Sequence, residues 1–133
     1  MSLLASGILG YLKRPKQIGL KKLFGPRPND RAKAEAYGER SIKPALELGR
    51  PIVLDFAGTG LMTQSFFHAL LSSGLAPDMR RIERLRVMGA DDRQLQALLL
   101  ALRLMAKTHA QRPKSLEPLF EAIASGGESK GGP

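Results

Sequence analysis

Apolar side chains follow two different spacings along the chain, one typical of strands and the other of helices. Residues 52–56 form a short apolar run rich in β-branched side chains, which predicts a strand buried on both faces of a parallel sheet. Residues 81–88 alternate apolar and charged side chains, which predicts a second strand ending at Gly89. Residues 17–24 are a candidate for a third strand.

The remaining apolar positions have helical spacing. Asn29 or Asp30 is a candidate cap for a helix that begins at residue 31, and Gly38 and Pro44 interrupt it. This pattern predicts either a helix with a kink near Pro44 or two short helices. Three further helices are predicted, each with its cap: residues 63–75 with Thr63, residues 92–107 with Asp91, and residues 115–124 with Ser115.

Strands separated by helices predict right-handed crossovers and a mainly parallel sheet. The expected fold class is therefore α/β: a small sandwich of a few mainly parallel strands and helices, plus a basic N-terminal arm. The breaker cluster at residues 25–30 separates an arm at 1–24 from an α/β domain at 25–112. A C-terminal helix at 113–125 and a flexible tail at 126–133 complete the predicted organisation.

The positive charge is concentrated near the N-terminus of the 133-residue chain, whose formal net charge is +9. Residues 1–34 carry eight basic side chains against one acidic one, or +7, and residues 35–133 carry 13 against 11, or +2. Such a segment attracts nucleic acid, an anionic membrane or an acidic protein, and the alternative is a segment that packs on the domain and leaves a solvated basic face. Leu100 and Leu104 widen the apolar face of the helix at 92–107, which either burial within the domain or a surface for a second copy of the chain would explain. The basic-arm candidates are Lys13, Arg14, Lys16, Lys21 and Lys22.

Composition excludes several classes of protein. The chain has no Cys, which excludes disulfides and cysteine-based zinc sites. Residues 1–12 are apolar and precede the basic cluster, whereas a secretory signal has the reverse order. The same segment is too short to span a bilayer. A cytoplasmic location is therefore expected.

Few residues have the spacing that catalysis or ligand binding requires. Asp55 ends the first predicted strand and is a candidate for a phospho-accepting or metal-binding carboxylate, with capping of the next turn as the alternative. Gly58 and Gly60 lack the third glycine of a dinucleotide loop and the lysine of a phosphate loop, so they favour a tight turn. His68 has no partner at catalytic or metal-ligand spacing. The residues predict no enzyme, no metal site and no cofactor.

Three stretches of the chain resemble a known family. Residues 37–46 read Tyr-Gly-Glu-Arg-Ser-Ile-Lys-Pro-Ala-Leu, residues 52–58 read Ile-Val-Leu-Asp-Phe-Ala-Gly, and residues 63–66 read Thr-Gln-Ser-Phe. In this order they resemble the STAS-like family, small bacterial domains related to anti-sigma-factor antagonists. The resemblance covers about residues 30–105. It implies a STAS-type α/β sandwich with a non-enzymatic regulatory role, and a histidine-kinase-type ATPase as the implied partner.

The resemblance also implies where the partner docks. In the related antagonists, the helix after this strand begins with a phosphorylated Ser or Thr, where a phosphate meets free amides and adds charge to a docking face. Gln64 is at the equivalent position here, so Thr63 and Ser65 on either side are the candidate switch residues, with helix capping as the alternative. Docking is expected through the loop and helix start at residues 57–67. The candidate docking residues are Asp55, Gly58, Gln64 and Phe66.

The alternative hypothesis is a nucleic-acid-associated protein that binds through the basic arm. Arg84 and Arg86 would point the same way on a strand and add a phosphate-contacting surface. Aromatic side chains make up only 5% of the chain, which argues against a base-stacking platform.

Overall fold

The computed structural model describes residues 14–109 and 111–131, with side chains described as far as residue 125. The strands are β1 (Lys16–Gly19), β2 (Ile52–Asp55) and β3 (Leu85–Met88). The helices are α1 (Leu20–Phe24), α2 (Arg31–Tyr37), α3 (Lys43–Glu47), α4 (Gln64–Leu75), α5 (Asp92–Thr108) and α6 (Pro113–Gly131). A π-helical turn covers Gly38–Ile42, and a 3-10 turn covers Met79–Arg84.

The three strands form one parallel sheet in the order β1-β2-β3, which confirms the α/β class. Because the strands follow one another in the same direction, right-handed crossovers place the connecting helices on one face. Ile18, Leu54 and Val87 pair across the sheet and are buried on that face. On the other face Val53 is half-buried and its neighbour Arg86 is exposed. The prediction that the strand in residues 52–56, now β2, is buried on both faces is therefore wrong.

The described part of the predicted arm belongs to the domain. The N–H of Lys16 donates to the carbonyl oxygen of Pro51 over 2.8 Å, and β1 then pairs with β2 along its whole length. Ile18 and Leu20 are completely buried, because the basic segment carries apolar side chains at core positions. The predicted division into an arm at 1–24 and a domain at 25–112 is therefore wrong for residues 16–24, because β1 is one of the three strands of the sheet. Lys13 and the rest of residues 1–13 lie outside the described residues.

The segment after the breaker cluster is helical without a break from Arg31 to Glu47, with two short α-helices joined by a π-helical turn, and this arrangement lies between the two predictions for it. Asp30 caps α2 by accepting a hydrogen bond from the N–H of Lys33 over 3.0 Å. The interruption is a π-helical turn that begins at Gly38, where an added Cβ would overlap the carbonyl oxygen of Leu70. Pro44, which has no N–H to donate to the preceding turn, lies at the start of α3 directly after the π-helical turn.

Several boundaries of the helices and strands differ from the predictions. Residues 81–84 belong to the 3-10 turn rather than to β3, because Met79 and Ile82 are both buried there. Helix α6 begins at Pro113, which suits the first helical position, and the hydroxyl of Ser115 donates to a carbonyl instead of capping. The same helix extends to Gly131 through most of the segment predicted as a flexible tail.

Helix α4 is the centre of the core. It packs between α2 and α5, and Phe66, Phe67, Leu70 and Leu71 on it are completely buried. Within the described ranges no helix is long and apolar enough to cross a bilayer. The core therefore places the N-terminus of α4, and the loop that leads into it, at the edge of the sheet where the strands end.

Candidate functional site

The candidate site lies at the carboxyl edge of the sheet, the edge at which open parallel sheets bind ligands. Strands β1 and β2 end there side by side, at Gly19 and Asp55. A depression of about 520 Å³ opens between the segments that follow them. Its lining residues are Gly19, Lys21, Lys22, Asp55 and Ala57.

Asp55 caps the turn that follows its strand. Its Oδ1 accepts a hydrogen bond from the N–H of Ala57 over 3.0 Å, which confirms the capping alternative. Gly58 then adopts a φ of 79°, a left-handed conformation that glycine adopts without strain. Among the side chains that the structure describes, no group of three acidic or histidine residues could hold a metal ion.

The loop at residues 57–62 is fixed to the domain on the side of α1. The N–H of Gly60 donates to the carbonyl oxygen of Pro26 over 2.7 Å. Thr59 closes the preceding turn, because its N–H and its hydroxyl both donate to the carbonyl oxygen of Phe56, over 3.0 and 2.6 Å. These bonds fix both the position and the shape of the loop.

Gln94 holds the same loop from the side of α5. Its side-chain Nε2 donates to the carbonyl oxygens of Thr59 and Gly60, over 3.1 and 2.7 Å. Its Oε1 accepts from the N–H of Asp91 over 3.0 Å, and Asp91 Oδ1 accepts from the N–H of Gln94 over 2.8 Å. Gln94 is only 2% exposed. The sequence analysis missed this residue: the Asp-x-x-Gln spacing indicates a capping box but not the contact with a distant loop.

The candidate switch residues lie at the start of α4. Thr63 is the N-cap, and its Oγ1 accepts from the N–H of Phe66 over 3.2 Å, so the capping prediction is confirmed. Ser65 is half-buried, and its Oγ lies 3.5 Å from Thr63 Oγ1. Gln64 between them is also half-buried. Thr63 is exposed.

Phe66 was expected to contact a partner, and the structure corrects this expectation. Its side chain is completely buried and packs edge-on against Phe24, with ring centroids 5.1 Å apart. Leu61 in the loop is instead 65% exposed, the most exposed of the large apolar side chains that the structure describes. Sequence periodicity could not separate the two, because it contains no information on which side chain of a loop points outwards.

The described basic candidates do not form one surface. Lys21 and Lys22 are exposed and line the depression, whereas Lys16 is half-buried in β1. Arg14 is exposed at the start of the described chain, where its carbonyl oxygen accepts from Arg50 Nε over 2.9 Å.

Arg84 and Arg86 do not share a surface either. Arg84 belongs to the 3-10 turn and donates to the carbonyl oxygen of Leu46 over 2.7 Å, and Arg86 donates to that of Glu83 over 2.7 Å. The strand alternation that would have aligned them begins only at Leu85. The expected second phosphate-contacting surface is therefore not formed by these two side chains.

No family model, curated protein or solved structure matches the chain. The resemblance to the STAS-like family therefore remains a prediction from the three short stretches that carry it.

Proposed function

We propose that this chain is a non-enzymatic, cytoplasmic interaction domain that docks a partner protein through the loop and helix start at residues 57–67. The observation that carries the proposal is the exposure of Leu61, 65%, in a loop held by hydrogen bonds from two sides. An exposed apolar side chain on a rigid loop supplies contact area without a large ordering cost on binding.

Binding is favoured over catalysis by what the polar side chains at this edge do. Asp55 Oδ1 holds the turn, and the amide of Gln94 holds the loop. The hydroxyl of Thr59 is also bonded within its own turn. Because these groups are engaged in holding the turn and the loop, they fix the shape of the surface, and a surface of fixed shape suits recognition of another protein.

Phosphorylation at Thr63 or Ser65 regulates docking in this proposal. Both residues lie where a helix presents unpaired N–H groups, and a phosphate there adds charge directly beside the loop. The resemblance of residues 63–66 to the STAS-like family also supports this part of the proposal, with a histidine-kinase-type ATPase as the partner it suggests.

Site-directed photo-cross-linking of the full chain in cells tests the docking face. A photoreactive phenylalanine derivative replaces Leu61 in one protein and Leu48 in a control, because Leu48 is 55% exposed and lies outside the loop. We expect a discrete adduct from position 61 that excess unlabelled protein suppresses, and no such adduct from position 48. The same adducts from both positions, or none from position 61, would contradict the proposal.

A further inference from the structure

We propose that the segment docked at this face is acidic: a stretch of the partner protein whose carboxylates lie against Lys21 and Lys22 while its apolar side chains contact Leu61. The inference rests on the proposed function and specifies the chemistry of the partner. It is carried by the charged rim of the depression beside the loop.

Lys21 is positioned by the loop itself. A Cβ added at Gly58 would lie 2.8 Å from Lys21 Cδ and 3.4 Å from its Nζ, so the lysine stem crosses directly over the turn. Lys21 is exposed as a whole, and both its stem and its ammonium group lie over the backbone of the turn. Lys22 is exposed on the same wall of the depression. Two cations therefore lie at the depression beside the turn at Gly58, in the loop that also carries the exposed Leu61.

The other charges around the loop define a polarity. Arg27 extends the cationic side, since its Cγ lies 4.0 Å from a Cβ added at Gly60. Asp91 and Asp92 are exposed on the opposite side, at the start of α5, together with Arg93. A docked segment therefore meets positive charge on the side of α1 and mixed charge on the side of α5. Acidic residues of the docked segment are therefore favoured on the side of α1 only.

A protein segment suits this site better than a nucleic acid. Asp55 also lines the depression and repels any anion placed against it, but a peptide can present uncharged side chains there, whereas every linkage of a phosphodiester chain is charged. Base stacking also needs exposed aromatic faces. In residues 14–109 and 111–125 all five Phe side chains are buried or pack in the core, and Tyr37 packs edge-on against Phe24.

The test measures binding of three probes to the full-length protein at low salt, where surface charges act over longer distances. The probes are the peptide Glu-Leu-Glu-Glu-Leu-Glu, its analogue with Lys in place of Glu, and a short single-stranded DNA. Amide chemical-shift changes locate each probe, and fluorescence anisotropy gives its affinity. We expect the acidic peptide alone to shift residues 19–22 and 57–62.

Charge-reversed variants test the role of the two lysines. The double variant Lys21→Glu, Lys22→Glu is compared with Arg112→Glu, Lys114→Glu, which makes the same change in net charge at exposed positions on another part of the domain. We expect the first to weaken binding of the acidic peptide about tenfold and the second to have little effect. The neutral variant Lys21→Gln, Lys22→Gln should show an intermediate loss, and it covers the case in which charge reversal prevents folding.

Three results would overturn the inference. Equal losses in both charge-reversed variants would mean that the overall charge of +9 attracts the peptide without a specific site. DNA that binds at residues 19–22 with the same dependence on the lysines would make the site a nucleic-acid site. If the acidic peptide caused no chemical-shift changes at these residues, the inference that the docked segment is acidic would be wrong. The docking proposal itself is tested separately, by cross-linking at position 61.

Discussion

The side-chain Nε2 of Gln94 lies 2.7 Å from the carbonyl oxygen of Gly60, which joins the first turn of α5 to the loop that follows β2. The two residues are 34 positions apart in sequence. The oxygen of the same amide accepts the N–H of Asp91, so one side chain both completes the capping box of α5 and holds the loop. The shape of the proposed docking loop therefore depends on how α5 begins.

Gln94→Ala is expected to lower the free energy of unfolding by about 1–3 kcal/mol, because it removes part-buried hydrogen bonds to the carbonyl oxygens of Thr59 and Gly60 and to the N–H of Asp91. Urea denaturation measures this change. Hydrogen exchange should become faster at residues 58–62 than elsewhere in the domain. Gln96→Ala on the exposed side of the same helix is the control, with little change expected. Equal exchange rates in both variants would show that Gln94 does not hold the loop.

Thr63→Ala is expected to destabilise the protein by about 1 kcal/mol through loss of the N-cap. Thr63→Ser keeps a hydroxyl at the same position and should recover most of this loss. Thermal or urea denaturation of the two variants makes the comparison. If both variants lost the same stability, the methyl group of Thr63 and not its hydroxyl would be responsible.

The proposed regulation predicts an effect of negative charge on partner binding. Ser65→Asp adds charge in the first turn of α4, and Thr63→Asp adds it at the N-cap while it keeps a capping oxygen. We expect at least one of these variants to change the affinity for the cross-linked partner severalfold, whereas Ser65→Ala does not. Unchanged affinity in both Asp variants would contradict regulation at these residues.

Gly38→Ala is expected to cost at least about 2 kcal/mol, because the new methyl group overlaps the backbone of α4 at Leu70. Gly19→Ala is the control: its added Cβ meets only Lys22 Cβ, at an ordinary distance of 3.7 Å. Urea denaturation should therefore separate the two substitutions clearly. Equal stability losses would mean that α2 and α4 can move apart at little cost.

Burial raises the pKa of Tyr37 above its ordinary value, and this effect exceeds the lowering by its hydrogen bond to Ser41 and by the nearby Arg40. The chain has two tyrosines, so Tyr11→Phe leaves the absorbance change on ionisation to Tyr37 alone. We expect the midpoint pH of this absorbance change to lie above that of a free tyrosine.

The sign of the effect on stability follows from the same shift. The unfolded chain loses the Tyr37 proton first, at a pH of about 10, so the contribution of this residue to stability is complete below that pH. It decreases as the pH rises towards the folded-state pKa. Tyr37→Phe should remove this part of the pH dependence. An absorbance midpoint at or below the ordinary value would contradict burial of the hydroxyl.

Local signals in the sequence predicted local structure well. Asp30, Thr63 and Asp91 each cap the helix that follows them, because a cap depends only on a side chain and the N–H groups two or three residues later. Asp55 follows the same rule in its turn. The helices α4 and α5 therefore begin directly after their predicted caps, at residues 64 and 92.

Features that depend on distant contacts could not be predicted in the same way. The basic composition of residues 14–24 concealed that Ile18 and Leu20 complete the core beside β2. The spacing of α4 predicted an apolar stripe but not that Phe66, in its first turn, would be buried while Leu61 is exposed. The contact of Gln94 with the loop depends on how α5 packs, and no local pattern records this packing.

The affinity of two leucine variants for the protein cross-linked at position 61 is the most direct measurement of docking through residues 57–67. Leu61→Asp and Leu48→Asp place the same charge at similarly exposed positions, 65% and 55%, inside and outside the loop. Docking through the loop predicts that Leu61→Asp weakens binding about tenfold or more and that Leu48→Asp leaves it unchanged. Equal affinities of the two variants would contradict it.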